Sequence, residues 1–348
     1  MTREHAVNGP MRIAIVNDLA LAREVLRRVV LSVPGYVIAW IAEDGNEAVR
    51  RAAADRPDVI LMDLVMPHLD GAEATRRIMR ASPCPILLVT ATVAGNFDLV
   101  YQAMGAGGRD AVETPTFGPD GTIAKAEPLL GRLRKLADAV RGVKGSGFMP
   151  ALAAGGSPAN LPPILAVGAS TGGPDALHHV LSALPADFPA AVVIAQHIEA
   201  AFAPGLATQL AARCKLPVRV AQDGEPPTGG VVLLAGSNDH LELGADRLLR
   251  YTPNPRNYPY RPSVDVLFAS VAAHSSRLGV GVLLTGMGTD GADGLLKLRA
   301  AGWHTIAQDE STSVVYGMPK AAVEKRAAVE VLPLPLIGPS VARHFAGR

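Results

Sequence analysis

Three short runs of this chain carry side chains whose types and spacing suit covalent chemistry. The first is Gly168-Ala169-Ser170-Thr171-Gly172-Gly173, which follows the apolar run 164–167 and precedes a helical pattern from Pro174. A Gly-x-Ser-x-Gly turn between strand and helix lifts the serine hydroxyl clear of the sheet. Backbone N–H groups at the start of the helix can then face a developing oxyanion. Ser170 is the candidate nucleophile of an acyl-transfer site. The competing use of the same glycines is a small-residue turn that lets the helix pack close to the sheet.

A serine nucleophile needs a base, and the base needs an acid to orient it. His197 directly follows the apolar run 192–196, and its ring is expected at the edge of the sheet that carries Ser170. His178 and His179 fall inside the helix after the serine turn, and His274 lies in another helical stretch. His240, at a hairpin turn, could line a pocket. The acid comes from the second run, Thr285-Gly286-Met287-Gly288-Thr289-Asp290-Gly291, whose three glycines allow close approach. An α/β-hydrolase chain order of Ser, acid and His would instead pair Asp265 or Asp290 with His304. The set Ser170, His197 and Asp290 places every member at the carboxyl end of a strand and is the stronger geometric choice. Asp290 would also serve as a helix N-cap. Gly286-x-Gly288-x-x-Gly291 matches a dinucleotide fingerprint with Asp309 beyond it, but it has no second nucleotide-binding half.

The third run is acidic. Asn17 and Asp18 end the first strand-like segment, and Asp63 ends the third, within Asp63-Leu64-Val65-Met66-Pro67-His68-Leu69-Asp70-Gly71. In a five-stranded flavodoxin-like order the first and third strands flank the crevice where ligands bind. Two carboxylates, an amide and a main-chain carbonyl are hard oxygen ligands suited to Mg²⁺. A carboxylate beside Mg²⁺ can accept a phosphoryl group. The plainer use of Asp18 and Asp63 is as solvated helix caps.

These residues need two α/β frameworks to hold them. Strand-like runs at 12–16, 36–42, 58–62, 85–89 and 110–112 alternate with helical spacing at 19–31, 46–54, 72–80, 96–104 and 126–140. That alternation predicts a doubly wound domain over 11–141. Residues 142–163 are rich in Gly, Pro, Ala and Ser with the single charge Lys144, which predicts a linker. A second parallel-sheet domain is expected over 164–348. Its strands are read at 164–167, 191–195, 218–221, 231–235, 280–284 and 305–307, with a β-hairpin near Gly229-Gly230 and Gly244-Ala245-Asp246. Residues 1–10 read as a disordered tail. The net charge of +1 gives no electrostatic footprint for nucleic acid. No apolar run is long enough to span a bilayer, and residues 2–10 lack the pattern of a signal peptide. Cys84 and Cys214 are too few for a disulfide framework, which points to a reducing cytoplasm.

The acidic cluster resembles the receiver domain of two-component response regulators. The resemblance implies Asp63 as phospho-acceptor, a Mg²⁺ site of Asp18, Asp63 and the Val65 carbonyl, and Thr90 as the hydroxyl switch. Two positions depart from that pattern: Asn17 replaces an acid, and Thr114 replaces the lysine before Pro115. The second half is similar to the CheB family of response-regulator protein-glutamate methylesterases. The matching runs are 168–173, Gln196-His197, Arg261-Pro262-Ser263-Val264-Asp265-Val266-Leu267-Phe268, 285–291 and Tyr316-Gly317-Met318-Pro319. This resemblance implies a Ser170, His197, Asp290 triad, with oxyanion donors at the N–H groups of Thr171 and Met287. Val16-Asn17-Asp18 and Glu113-Thr114-Pro115 look like the WspF branch, which serves surface-sensing receptor arrays. The expectation is a cytoplasmic hydrolase with no cofactor in catalysis. It would remove methyl esters from glutamates of a methylated chemoreceptor-type protein, release methanol and deamidate receptor glutamines. Its receiver would cover the active-site edge until a histidine kinase phosphorylates Asp63. Two alternatives are a non-catalytic adaptor that docks receptor or kinase, and a small-molecule esterase. The low aromatic content speaks against the deep pocket that the second would need.

Overall fold

The computed structural model describes residues 9–92, 96–118, 122–140, 161–275 and 277–346. The chain divides into two compact units, Met1–Val143 and Lys144–Arg348. Residues 1–8 of the expected tail and 142–160 of the expected linker lie outside the described residues.

In the first unit, strands β1 (Met11–Val16), β2 (Tyr36–Ala42), β3 (Val59–Met62), β4 (Ile86–Thr90) and β5 (Asp110–Glu113) alternate with helices. The helices are α1 (Ala20–Leu31), α2 (Gly45–Ala54), α3 (Gly71–Ala81), α4 (Phe97–Gly105) and α5 (Ala126–Val140). The strands form one parallel sheet in the order β2-β1-β3-β4-β5. β3 and β4 are buried along their whole length, as expected of parallel strands covered on both faces. Asp44 and Asp70 accept hydrogen bonds from the Glu47 and Glu73 N–H groups and so cap α2 and α3. Each such cap contributes about 1 kcal/mol. A small antiparallel pair, β6 (Thr116–Phe117) with β7 (Ile123–Ala124), is additional to the expected elements. Two-residue strands are too short to show a period of two.

The second unit has a seven-stranded parallel sheet in the order β10-β11-β9-β8-β14-β15-β16. Its strands are β8 (Ile164–Ala169), β9 (Ala191–Gln196), β10 (Val218–Val220), β11 (Val232–Leu234), β14 (Val280–Leu283), β15 (His304–Gln308) and β16 (Glu330–Leu332). The helices are α6 (Gly173–Ser182), α7 (Ala203–Ala211), α8 (Val264–His274), α9 (Ala292–Ala300), α10 (Met318–Glu324) and α11 (Leu334–Ala346). One antiparallel hairpin, β12 (His240–Leu243) with β13 (Leu249–Thr252), turns at 244–248. Gly229-Gly230 does not belong to this hairpin; it leads into β11, a parallel strand of the main sheet beside β9. The seventh strand, β16, escaped the sequence reading because Glu330-Val331-Leu332 is a partly exposed edge strand without the continuous apolar run of the buried strands. One core cluster runs from Ile164 and Val193 through Val264, Phe268, Leu283 and Leu295 to Met318. No helix among the described residues is long and apolar enough to cross a membrane.

Candidate active site

β8 and β9 are neighbours in parallel register, with Ala169 opposite Gln196. Their next residues, Ser170 and His197, therefore leave the sheet side by side at its carboxyl edge. Ser170 Oγ lies 3.1 Å from His197 Nδ1, and His197 Nε2 lies 2.6 Å from Asp290 Oδ2. The Asp290 carboxylate accepts a hydrogen bond from Nε2–H, so Nδ1 is left as the acceptor for the Ser170 hydroxyl. Both Ser170 and His197 are buried, at 2% and 7% exposure, which keeps competing water away from the pair.

Asp290 precedes α9 but does not cap it. Its carboxylate sits instead at the start of α8. Oδ1 accepts from the Ser263 hydroxyl at 2.8 Å and the Asp265 N–H at 3.0 Å, and Oδ2 accepts from the Val264 N–H at 2.8 Å. A helix N-terminus with unsatisfied N–H groups is a ready anion site. Burial by itself raises the Asp290 carboxyl, but the His197 hydrogen bond and charge and these N–H donors outweigh it, and the group is held below its ordinary value. Asp265 makes the return contact, accepting from the Gly294 N–H of α9 at 2.6 Å. The two helices thus exchange acids. Burial, with the Asp290 charge next, pushes the Asp265 carboxyl well up. Its carboxylate has no bond to His197, and His304 pairs with Glu330 at 3.5 Å, so neither joins the serine.

The sequence reading did not find the Ser263–Asp265 cradle as a functional element. The available signal was a serine N-cap ahead of the apolar run 264–271, whose hydroxyl also accepts from the Val266 N–H. Gln196 was also missed. Its Nε2 donates to the carbonyls of Ser170 at 2.9 Å and His197 at 3.2 Å, tying the two turns together. A Cβ on Gly173 would fall 2.0 Å from Gln196 Oε1, so this brace needs the glycine. His240 does not line a pocket. It is fully buried, its Nε2 donates to the Pro255 carbonyl at 3.1 Å, and its Nδ1 accepts from the Ser263 N–H at 3.1 Å. Burial holds it below the ordinary histidine value, so it stays the neutral clamp these two bonds require.

The loop 285–291 reaches the serine through Thr285. The Ser170 N–H donates to the Thr285 carbonyl at 3.0 Å, and the Thr285 hydroxyl donates to the Thr171 carbonyl at 2.9 Å. Gln308 Oε1 accepts from the Thr285 N–H at 2.8 Å, which anchors the loop to β15. A Cβ on Gly286 would lie 2.8 Å from Ser170 Cβ and 2.2 Å from Met318 Sδ. Gly286 is what lets the main chain bearing Met287 close on the serine. Gly286→Ala is expected to push this loop away and cut ester hydrolysis about 10²-fold, the usual cost of a misplacement near 1 Å. Steady-state kinetics alongside a melting curve would check this. A folded variant with undiminished turnover would show that the close approach is unnecessary.

In the first unit, β1 and β3 are adjacent, and Asn17 and Asp63 meet at their carboxyl ends. Asn17 Nδ2 donates to Asp63 Oδ2 at 2.9 Å, while Asn17 Oδ1 accepts from the Leu19 N–H at 2.8 Å. The amide therefore turns its nitrogen to the acid and its oxygen to the Leu19 N–H. The leucine N–H fixes that orientation. Asp63 Oδ1 accepts from the Leu64 N–H at 2.7 Å. Burial, opposed by the Leu64 and Val65 N–H groups and reinforced by the Asp18 charge, lifts the Asp63 carboxyl to about 6. The Thr90 hydroxyl is buried and accepts from Asn96 Nδ2 at 2.9 Å. The Thr114 N–H donates to the Thr90 carbonyl at 2.9 Å, and Lys125 is paired with Glu113 at 2.6 Å.

The family model for the CheB methylesterase matches residues 165–341, and that for the response regulator receiver domain matches residues 13–120. The chain belongs to the CheB methylesterase family. It is 53% identical to protein-glutamate methylesterase/protein-glutamine glutaminase 2 of Cupriavidus metallidurans, covering 97% of this chain and 99% of that protein. It is 50% identical to protein-glutamate methylesterase/protein-glutamine glutaminase 3 of Pseudomonas aeruginosa, covering 96% and 100%. The solved catalytic domain of the Thermotoga maritima CheB methylesterase is 36% identical, covers 52% of this chain and 98% of its own, and has a TM-score of 0.48. The second unit of this family member carries the Ser170, His197 and Asp290 constellation, and the receiver carries Asp63.

Proposed function

We propose that the protein is a phosphorylation-regulated protein-glutamate methylesterase acting on a methylated chemoreceptor-type protein in the cytoplasm. The observation that carries this reading is the continuous relay from Ser170 Oγ through His197 to Asp290, at 3.1 and 2.6 Å. His197 Nδ1 takes the Ser170 proton as Oγ attacks the ester carbonyl. The negative oxygen so formed faces the N–H groups of Thr171 and Met287. His197 returns the proton to the departing methoxide, and methanol leaves. Water then attacks the acyl-enzyme with His197 again as base, and the free glutamate carboxylate and Ser170 are regenerated. With a glutamine side chain the same steps release ammonia, in keeping with the glutaminase in the relatives' names. Asp290 holds the imidazole in the required tautomer and balances its charge. A non-catalytic adaptor would have no use for a buried serine–histidine–aspartate relay.

The receiver reading assigns Asp63 as the acceptor of a phosphoryl group from a histidine kinase, with Thr90 as the hydroxyl that responds. A divalent cation such as Mg²⁺ fits the donors: the Asp18 and Asp63 carboxylates and the Val65 carbonyl are hard oxygens, and the repulsion between the two acids calls for a cation. When bound it would neutralise charge on the transferring phosphoryl oxygens. Asn17 Nδ2 donates to Asp63 Oδ2 and helps to hold that carboxylate. Thr114 supplies no cation to follow the phosphate, so the response is expected to be weaker than in relatives with the lysine.

The test is methanol release from methylated receptor membranes by full-length protein, by protein lacking residues 1–141 and by Asp63→Ala, each with and without kinase and ATP. The truncated protein is expected to exceed the unphosphorylated full-length chain, and Asp63→Ala to ignore the kinase. A truncated protein slower than the full chain would make the receiver an activator instead. A kinase response retained in Asp63→Ala would remove Asp63 as acceptor.

A further inference from the structure

We infer that Tyr260 is a positioning residue of the serine chemistry, its ring supporting the face of His197 as that imidazole becomes an imidazolium. The inference deepens the methylesterase reading and rests on it. The two rings are stacked, with centroids 4.6 Å apart and planes inclined by 24°. Both edge nitrogens of His197 are committed, one to Ser170 and one to Asp290, so any further restraint has to act on a ring face. Tyr260 occupies one. A tyrosine face carries the negative end of the ring quadrupole. It attracts a cation more than a neutral ring, and most strongly where water is excluded. The His197 side chain is only 4% exposed. The contact therefore strengthens as the serine proton reaches Nδ1, and an interaction that grows toward the transition state raises turnover rather than binding.

The segment that carries Tyr260 is built to hold it there. Residues 253–263 join β13 to α8, and the buried His240 bonds to both ends, to the Pro255 carbonyl and to the Ser263 N–H. Tyr258 packs edge-on against the same imidazole, with centroids 5.8 Å apart and planes at 79°. Ser263 in turn donates to Asp290. The strap therefore delivers Tyr260 to one side of His197 and the cradle of Asp290 to its edge.

The experiment compares Tyr260→Phe, Tyr260→Leu and Ser170→Ala with wild type in the full-length chain. It measures kcat and KM for methanol release from methylated receptor membranes. Endpoint labelling of Ser170 by a fluorophosphonate counts folded sites, so kcat in the Tyr260 variants is expressed per competent site. Phenylalanine keeps the π face and is expected within about twofold of wild type. Leucine fills the space without a π face and is expected to lower kcat about tenfold with KM within about twofold, the size of a desolvated cation–π contact. Wild-type kcat in Tyr260→Leu would overturn the proposal. So would a rise in KM at constant kcat, which would make Tyr260 a substrate contact, or an equal loss in the phenylalanine variant, which would move the role to the hydroxyl. Undiminished turnover in Ser170→Ala would instead overturn the underlying serine reading.

Discussion

Ser170→Ala is expected to lower methanol release about 10⁵–10⁶-fold while leaving the fold intact. Removing the nucleophile of a serine triad costs as much as removing the whole triad, because the remaining members have nothing to activate. What survives is the contribution of the oxyanion donors and binding, roughly 10³–10⁴ over the uncatalysed rate. The hydroxyl has little structural duty. Its oxygen meets His197 Nδ1, whereas the turn is held through its main chain: Ser170 N–H to the Thr285 carbonyl, Gly173 N–H to the Ser170 carbonyl, and the Gln196 side-chain Nε2 to that same carbonyl. Methanol release and a melting curve on the same preparation would separate the two effects. A folded alanine variant turning over near the wild-type rate would exclude Ser170 as nucleophile.

Asp290→Asn is expected to cost about 10⁴ in kcat, by analogy with the corresponding change in another serine triad. Asp290 meets four donors and nothing that accepts: His197 Nε2 and the Val264 N–H at Oδ2, the Ser263 hydroxyl and the Asp265 N–H at Oδ1. An asparagine has to turn its NH₂ toward one of these pairs. Facing His197, the NH₂ forces Nε2 to accept, moves the ring proton to Nδ1 and leaves no base for Ser170. Facing Asp265, it opposes a backbone N–H that cannot rotate away, and the imidazolium loses its counter-charge. Asp265→Asn is the internal control. Its carboxylate accepts from Gly294 rather than His197, and burial already favours the uncharged form. An amide oxygen can keep that bond, so activity within about tenfold of wild type is expected from a loss no larger than one net hydrogen bond. If Asp265→Asn were the crippling change and Asp290→Asn the mild one, the acid of the triad would have to be reassigned.

The alternation of apolar runs with helical spacing placed the strands and helices of the first α/β unit, and six of the seven parallel strands of the second, within a residue or two. Parallel strands buried on both faces leave an unmistakable apolar record, as in Ile60-Leu61-Met62 or Val192-Val193-Ile194. Ser170, His197, Asp18 and Asp63 were legible for a related reason: each lies just past the end of a strand, Asp290 lies in the glycine-rich loop that follows another, and in a parallel sheet all such ends lie on one edge. What the linear order does not contain is the lateral order of strands and the direction of a polar side chain. Only the fold places β9 beside β8 and so brings His197 to Ser170. Only packing of α8 on α9 makes two acids 25 residues apart exchange helix ends, so that Asp290 orients the base and Asp265 does not. The rotation of the Asn17 amide toward Asp63, the clamp made by His240 and the stacking of Tyr260 on His197 belong to the same class. Each is a short-range, directional contact between distant parts of the chain. Its energy depends on tenths of an ångström, and composition and periodicity record only which face of an element is apolar.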